Sequence, residues 1–325
     1  VLVDCIKIGW KDKESLQGKL VEGRYHGLGV ACYIESGAAG PRENVRIEVA
    51  PGGGLNVYIG STSVGQGMET SLTQIAADAL DVPMECIRLF HGSTVYLSEG
   101  FGSFHARTVV VGGSAILDAA GKLRQSLREA AARRFGCRPD EVSVGQGLRL
   151  SFAGNSFSLQ DFPGIRVEGT FASHHHTYAN GAAAAHVAVD PETGVVKVLD
   201  YVMVEDVGRI INPLTLNGQA IGTAVQGMGG TFFEHLAYDD NGQLLAGSLA
   251  DYALPIASDF PAIRSIELED SPSPNNPLGA KGGADGGVIP GRRCHRQCSR
   301  IGAGTARRAH QRSAAVAAAS VEADP

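Results

Sequence analysis

The sequence predicts an α+β protein made of two similar mixed α/β subdomains. Two stretches read as β-hairpins: 44–62, which alternates apolar and polar residues around PGGG, and 182–206, two apolar runs around the turn DPETG. Each is followed by a glycine-punctuated helical pattern, at 68–80 and at 212–236. With 43% hydrophobic residues in 325, the chain can bury a large core. The halves share this plan of hairpin, glycine-marked helix and strand, with no residue-level repeat.

Residues 1–20 are polar with a helical pattern. The chain opens VLVDCIKIGW without a methionine, which reads as a start partway into a longer protein. Trp10, the one tryptophan, lies in this polar segment and is read as packing on a partner outside the chain. GRYHGLGVACYIE (23–35) reads as a strand with glycine on both sides. NVRIEVA and LNVYIGST form the first hairpin, and the helix after it places Met68, Leu72, Ile75, Ala76 and Ala79 on one face. IRLFHG (87–92) is the next strand. That makes a β-α-β unit whose helix begins at a strand's carboxyl end, where open α/β sheets hold ligands. A long loop from 93 leads to a helix of small residues reaching about Phe135. Residues 137–165 read as a linker with short strands, and a further hairpin is expected around Asp239–Gly242. The domain reading is a 1–20 lead-in, a first subdomain at 21–136, the 137–165 linker, a second subdomain at 166–290, and an aberrant tail at 291–325.

A net charge of −6, with no basic face outside the extreme C-terminus, argues against nucleic-acid binding. No stretch approaches the roughly 20 apolar residues of a membrane span. Six cysteines without a CxxC pair or a disulfide-like framework favour a reducing, cytoplasmic compartment. Two zinc readings fail on geometry. The His174–His176 run, with His186 beyond it, places adjacent side chains on opposite faces of an extended segment, and Cys294, His295 and Cys298 lack a fourth ligand. The tail is rich in arginine and alanine, without lysine and without apolar periodicity. Moving the frame by one nucleotide over Gly291–Cys298 permits VGVAIANA, so the tail reads as a frameshift.

Gly65, Gln66 and Gly67 stand at the mouth of the first long helix. Glycine there allows close backbone approach and φ > 0, and the helix N-terminus behind it suits an anion. A strand-to-helix turn that merely needs glycine explains the same residues. Four segments occurring in order decide more: GQGMETSLTQIAADALDVPMECIRLFHGST, DPETGVVKVLDYVMVEDVGRIINP, GQAIGTAVQGMGG and NPLGAKGGADGGVIP. Together they resemble the C-terminal half of the molybdenum-binding large subunit of the xanthine dehydrogenase, aldehyde oxidase and aerobic carbon monoxide dehydrogenase family, over roughly residues 20–290.

The resemblance implies a fold of two molybdenum-cofactor-binding subdomains and a molybdopterin cofactor carrying molybdenum, in its cytosine dinucleotide form. It implies that Gly65, Gln66 and Gly67 receive the cofactor's pyrophosphate. Gly102, Ser103, Phe104, His105, Ala106 and Arg107 match a segment passing beside metal and pterin, although the bare sequence also fits a glycine-rich surface loop. Gln219 and Gln226 match a helix that gives amide contacts to the pterin; as bare sequence they could face solvent. Lys281 and Gly282 match the cofactor-binding segment before the catalytic loop. The metal has no direct protein ligand and is held through the pterin dithiolene.

The implied reaction is hydroxylation of an aldehyde, an N-heterocycle or carbon monoxide with water as oxygen source, a carboxylate serving as base. Asp285, in Gly282-Gly283-Ala284-Asp285, stands where the family has the glutamate of a GVGE-like motif. It keeps the carboxylate on a side chain one methylene shorter, and a misplacement of about 1 Å costs on the order of a hundredfold in rate. As bare sequence Asp285 also reads as a turn aspartate. Implied partners are a chain or domain supplying the first molybdenum-binding half, and subunits carrying [2Fe–2S] clusters and FAD, because this chain has no cluster-type cysteine pattern. The loop with a copper-binding cysteine found in true carbon monoxide dehydrogenases is absent. A non-catalytic scaffold or assembly paralogue is the alternative.

Overall fold

The computed structural model describes residues 7–283 and 286–290. Its N-terminal segment forms one helical turn, α1 (Trp10–Lys13). Two sheets follow. One runs in the order β1 (Leu20–Val21), β2 (Arg24–Gly37), β10 (Thr177–Val189), β11 (Val196–Asp206), β12 (Ile263–Leu268). The other runs β5 (Ile87–Phe90), β4 (Leu55–Ile59), β3 (Glu43–Val49), β9 (Arg166–Phe171). In each sheet an antiparallel hairpin (β3–β4, β10–β11) is followed by a helix and then a strand parallel to the second hairpin strand (β5, β12). The helices are α2 (Met68–Leu80) and α4 (Pro213–Phe232). The shared plan expected from the sequence is therefore present as topology.

The smaller sheet buries one face. Val45, Ile47 and Val49 of β3 and Leu55, Val57 and Ile59 of β4 alternate with half-buried residues, and the apolar set packs on α2 and α3 (Gly113–Phe135). On α2, Met68, Leu72, Ile75 and Ala76 are buried as the helical period predicts, joined by Ala77 and Leu80. Helix α3 ends where Gly136 takes φ +67° and Cys137 N–H reaches back to the Ala132 carbonyl.

The larger sheet is covered on both faces. Ala183, Ala185, Val187 and Val189 meet Ala220, Ala224 and Met228 of α4, while Ala182 and Ala184 meet Ile8 and Trp10 on the other side. Small side chains in β10 let both layers approach the sheet. Trp10 thus packs, half-buried, within the chain against this sheet.

The pairing cuts across the expected division of the chain. Strand β2, placed by sequence in the first subdomain, pairs along its length with β10, and β9, placed in the second, pairs with β3. The 137–165 stretch is no linker. It forms a small sheet of β6 (Ser143–Val144), β7 (Leu150–Phe152) and β8 (Asn155–Phe157). Its Phe157 stacks on Phe135 at 4.2 Å, and Leu148, Leu150 and Phe162 join the first core. Around Asp239–Gly242 there is a minimal antiparallel hairpin, Tyr238 opposite Leu244, closed by Asp239 N–H to the Gln243 carbonyl and Leu245 N–H to the Ala237 carbonyl.

On the α1 side of the larger sheet His26 Nδ1 and His186 Nε2 lie 2.9 Å apart, near Asp200, which pairs with Lys13 and Arg264. Burial, then the charges of His26 and Lys13, push the His186 imidazole down to about 4, with Asp200 opposing. The unfolded chain therefore binds the proton that the folded one refuses between pH 6.5 and 4. Stability from this group is complete above pH 6.5 and lost as pH falls toward 4, about 3 kcal/mol in all. Urea unfolding from pH 7.5 to 4 should show this slope in the wild type and a shallower one in His186→Gln; equal slopes would exclude the pair as its source.

Candidate functional site

A cleft of about 440 Å³ lies where the N-terminal ends of α2 and α4 meet the 103–109 and 280–283 segments. The two helix ends are tied together. Gln74 Nε2 donates to the Ile211 carbonyl at 2.7 Å, Asn212 Nδ2 donates to Gln74 Oε1 at 3.3 Å, and the Ser71 and Thr215 hydroxyls are 3.4 Å apart. Asn212 is the N-cap of α4, accepting from Thr215 N–H at 3.0 Å, with Pro213 at the first helical position. Gly67, the N-cap of α2, sits at φ +75°, and a Cβ there would come within 2.8 Å of the Thr215 methyl. The glycine is thus required by the contact between the two helices as well as by its dihedral angle.

The loop leading into α3 is held from behind. Arg107 is fully buried, and its Nη1 donates to Glu43 Oε2 at 2.6 Å and to the Gly102 carbonyl at 2.7 Å. Nε donates to the Ala39 carbonyl at 3.0 Å and Nη2 to that of Arg42. Ser61 Oγ donates to the same Glu43 oxygen at 2.7 Å. In front of this anchor His105 and Ala106 take φ +50° and +53°, a region that costs non-glycine residues roughly 1–2 kcal/mol each. Ala38 N–H to the His105 carbonyl at 2.9 Å and Ser36 Oγ against His105 Nε2 at 3.0 Å hold the pair. A π-helical turn, Thr108–Gly112, follows, and its Thr108 and Val109 face the cleft.

The fourth wall rests on a second buried pair. Lys281 Nζ meets Asp206 Oδ1 at 3.0 Å, and its carbonyl accepts from Thr177 Oγ1 at 2.7 Å. Gly282, at φ +87°, passes so close to Ala106 that a Cβ would lie 2.3 Å from the Ala106 Cβ. Glu205, buried in β11, accepts from the Tyr33 hydroxyl at 2.6 Å, and burial pushes its carboxyl up. A Cβ on Gly286 would come within 2.4 Å of Glu205 Oε2, so this buried acid packs directly against Gly286. Asp285 itself lies outside the described residues, as does the 291–325 tail.

Of the residues singled out by sequence, Gln66, Ser103, Phe104, His105, Ala106, Gln219 and Gly282 line the cleft together. Gln66 is turned partly into its own loop, accepting from Val64 N–H at 2.7 Å. Gly65 has φ +96° with open space around it. Arg107 and Lys281 do not face the cleft. Both are buried cations spent on Glu43 and Asp206, so they anchor the walls where direct cofactor contact was expected. The Gly102 carbonyl is taken by Arg107. Gln226, two turns beyond Gln219 on α4, is exposed away from the cleft. The sequence reading missed Arg209, Asn212 and Thr215, all lining residues. The signal available for them was the N-cap pattern Asn-Pro-Leu-Thr at the start of α4.

Residues 6–261 match the family model described as the molybdopterin cofactor-binding domain. The chain belongs to that family. Among relatives of this molybdopterin cofactor-binding domain, the gamma subunit of the 6-hydroxypseudooxynicotine dehydrogenase complex of Paenarthrobacter nicotinovorans is 33% identical over 284 residues, covering 82% of this chain and 36% of the relative. The carbon monoxide dehydrogenase large chain of Afipia carboxidovorans is 27% identical over 294 residues, with the same coverages. The crystal structure of quinoline 2-oxidoreductase from Pseudomonas putida 86 superposes with a TM-score of 0.80 at 28% identity, over 93% of this chain and 42% of that one. This molybdopterin cofactor-binding domain therefore spans a little over a third of the length of the curated relatives it matches. Among the described residues no helix is long and apolar enough to cross a membrane.

Proposed function

We propose that this chain is the C-terminal cofactor-binding part of the catalytic subunit of a molybdenum hydroxylase. The substrate would be an aldehyde, an N-heterocycle or carbon monoxide, and water the oxygen source. The observation that carries the reading is the cleft: the N-terminal ends of α2 and α4 meet there beside the amides of Gln66 and Gln219, and among the described residues no carboxylate lines it. The helix ends suit the anionic part of a pterin dinucleotide, and the apolar lining of Met68, Val109, Val207, Ile211 and Leu216 suits its rings.

When bound, the molybdenum group supplies the two-electron oxidant and the Lewis acid that activates water. The chain's residues do the rest. The backbone at 65–67 and the α2 N-terminus receive the cytosine dinucleotide's pyrophosphate. Gln66 and Gln219 orient the pterin by their amides. Ser103 to Ala106, anchored through Arg107, would wall the cofactor on the α3 side. Asp285 would serve as the base that takes a proton from the water substrate. Iron–sulfur and flavin subunits would accept the electrons, and the remaining large-subunit portion would close the other side of the cofactor, in a cytoplasmic hetero-oligomer.

Molybdenum analysis with nucleotide release after acid treatment tests this reading. The chain co-expressed with the remaining large-subunit portion should carry stoichiometric molybdenum and release cytidine monophosphate, whereas the chain alone should hold little metal. A folded complex devoid of molybdenum would establish the scaffold alternative, and stoichiometric metal on the isolated chain would refute the shared clamp.

A further inference from the structure

One residue sets the charge of the cleft. Among the described side chains that line it, Arg209 is the sole permanently charged one, and no described aspartate or glutamate accompanies it, in a chain whose net charge is −6. The two other cations near the walls, Arg107 and Lys281, are buried against carboxylates. The Arg209 guanidinium is exposed and has neither an ion pair nor a hydrogen bond among the described residues. Its backbone, by contrast, is fixed. Arg209 N–H donates to the Gly279 carbonyl at 3.0 Å, Gly208 N–H to Asp206 Oδ1 at 3.0 Å, and Ile210 N–H to Glu269 Oε1 at 2.6 Å. A rigid turn therefore presents a free guanidinium to a concave surface at the foot of α4, facing the end of α2. Glu69, the acidic residue in the first turn of α2, does not line the cleft.

We propose that Arg209 is the counter-charge for a phosphate or pyrophosphate group held between the N-termini of α2 and α4. The inference rests on the reading that the cleft takes a nucleotide-bearing cofactor, and adds the residue that neutralises it from the α4 side. A guanidinium presents paired N–H donors that match two phosphate oxygens, and the helix ends add partial positive charge. Arg209 holds and orients the anion; it moves no proton and forms no bond.

The probes are inorganic pyrophosphate and cytidine diphosphate, titrated calorimetrically into the cofactor-free chain. Wild type should bind both, more weakly as salt rises. Arg209→Gln should weaken binding by roughly ten- to a hundredfold, the worth of a charge-assisted pair, and flatten the salt dependence. Arg209→Lys should fall between, because it keeps the charge and loses the fork. Arg149→Gln, at an exposed arginine away from the cleft, should match wild type. Unchanged binding in Arg209→Gln, or no binding of either probe by wild type, would overturn the assignment. In the cofactor-loaded complex Arg209→Gln should release molybdenum and nucleotide faster. If it instead retains both and shows only a raised KM for a carboxylate-bearing substrate, Arg209 is a substrate clamp and the proposal fails. Absence of molybdenum from the wild-type complex would defeat the hydroxylase reading alone, since the calorimetry does not depend on the metal.

Discussion

Arg107→Met should lower the thermal midpoint by on the order of 10 °C and strip the complex of its cofactor, the largest stability effect expected of any single change near the cleft. Removing one partner of a buried ion pair typically costs about 3–5 kcal/mol, because the other charge is left without compensation. Here Glu43 would keep only Ser61 Oγ–H and Asn44 N–H, and the carbonyls of Ala39 and Arg42 would lose their donor. With the anchor gone, only the Ala38 and Ser36 contacts of His105 hold the left-handed pair, so the cleft wall loosens. Glu43→Leu combined with Arg107→Met should recover part of the midpoint, since an apolar pair removes the uncompensated charge. It should not recover cofactor retention. A midpoint within a degree or two of wild type in Arg107→Met would show that the pair is not a support.

Asp285→Ala should leave molybdenum content unchanged while lowering turnover by about 10²–10⁴-fold, the usual worth of a positioned general base. Asp285→Glu should raise turnover above wild type, because the added methylene restores the reach of the family's glutamate. Steady-state rates of the three complexes, normalised to bound metal, make the comparison. Equal rates would remove Asp285 from the base role and direct attention to another carboxylate.

Elements with a strong local pattern were legible in the sequence. The β3–β4 and β10–β11 hairpins, the apolar stripe of α2 and the close of α3 near Phe135 all follow from local periodicity and turn chemistry, which need no knowledge of a distant partner. What escaped was everything fixed by partners far along the chain. Nothing in RYHGLGVACYIE announces that β2 pairs with a strand 13 residues long starting at Thr177. Likewise the short strands of 137–165 read as a linker because their core contacts lie on α3. In the cleft, Gln66, the 103–106 loop and Gln219, singled out through their motif, line the wall, whereas Arg107 and Lys281 of the same motif are turned onto Glu43 and Asp206. A cation in a loop looks exposed until Glu43 or Asp206 is seen behind it. Arg209 escaped because a lone arginine in a turn has no spacing pattern, and its meaning comes from what does not surround it.

The exchange of β2 and β9 between the two sheets bears on how the chain reaches its native state during synthesis. Strand β2 leaves the ribosome before β3 but, beyond its first two residues paired with β1, has no hydrogen-bonding partner until β10 emerges, long after the whole β3–β4–α2–α3 layer. Its buried Leu28, Ala31 and Tyr33 must meanwhile wait for that strand. Pairing at such sequence separation closes slowly and leaves apolar edges accessible to other nascent chains. Cutting between the apparent halves would strand β2 on one fragment and β10 on the other, so neither piece is an autonomous folding unit. Production of this domain should accordingly depend on chaperone capacity and on slow translation more than its size suggests.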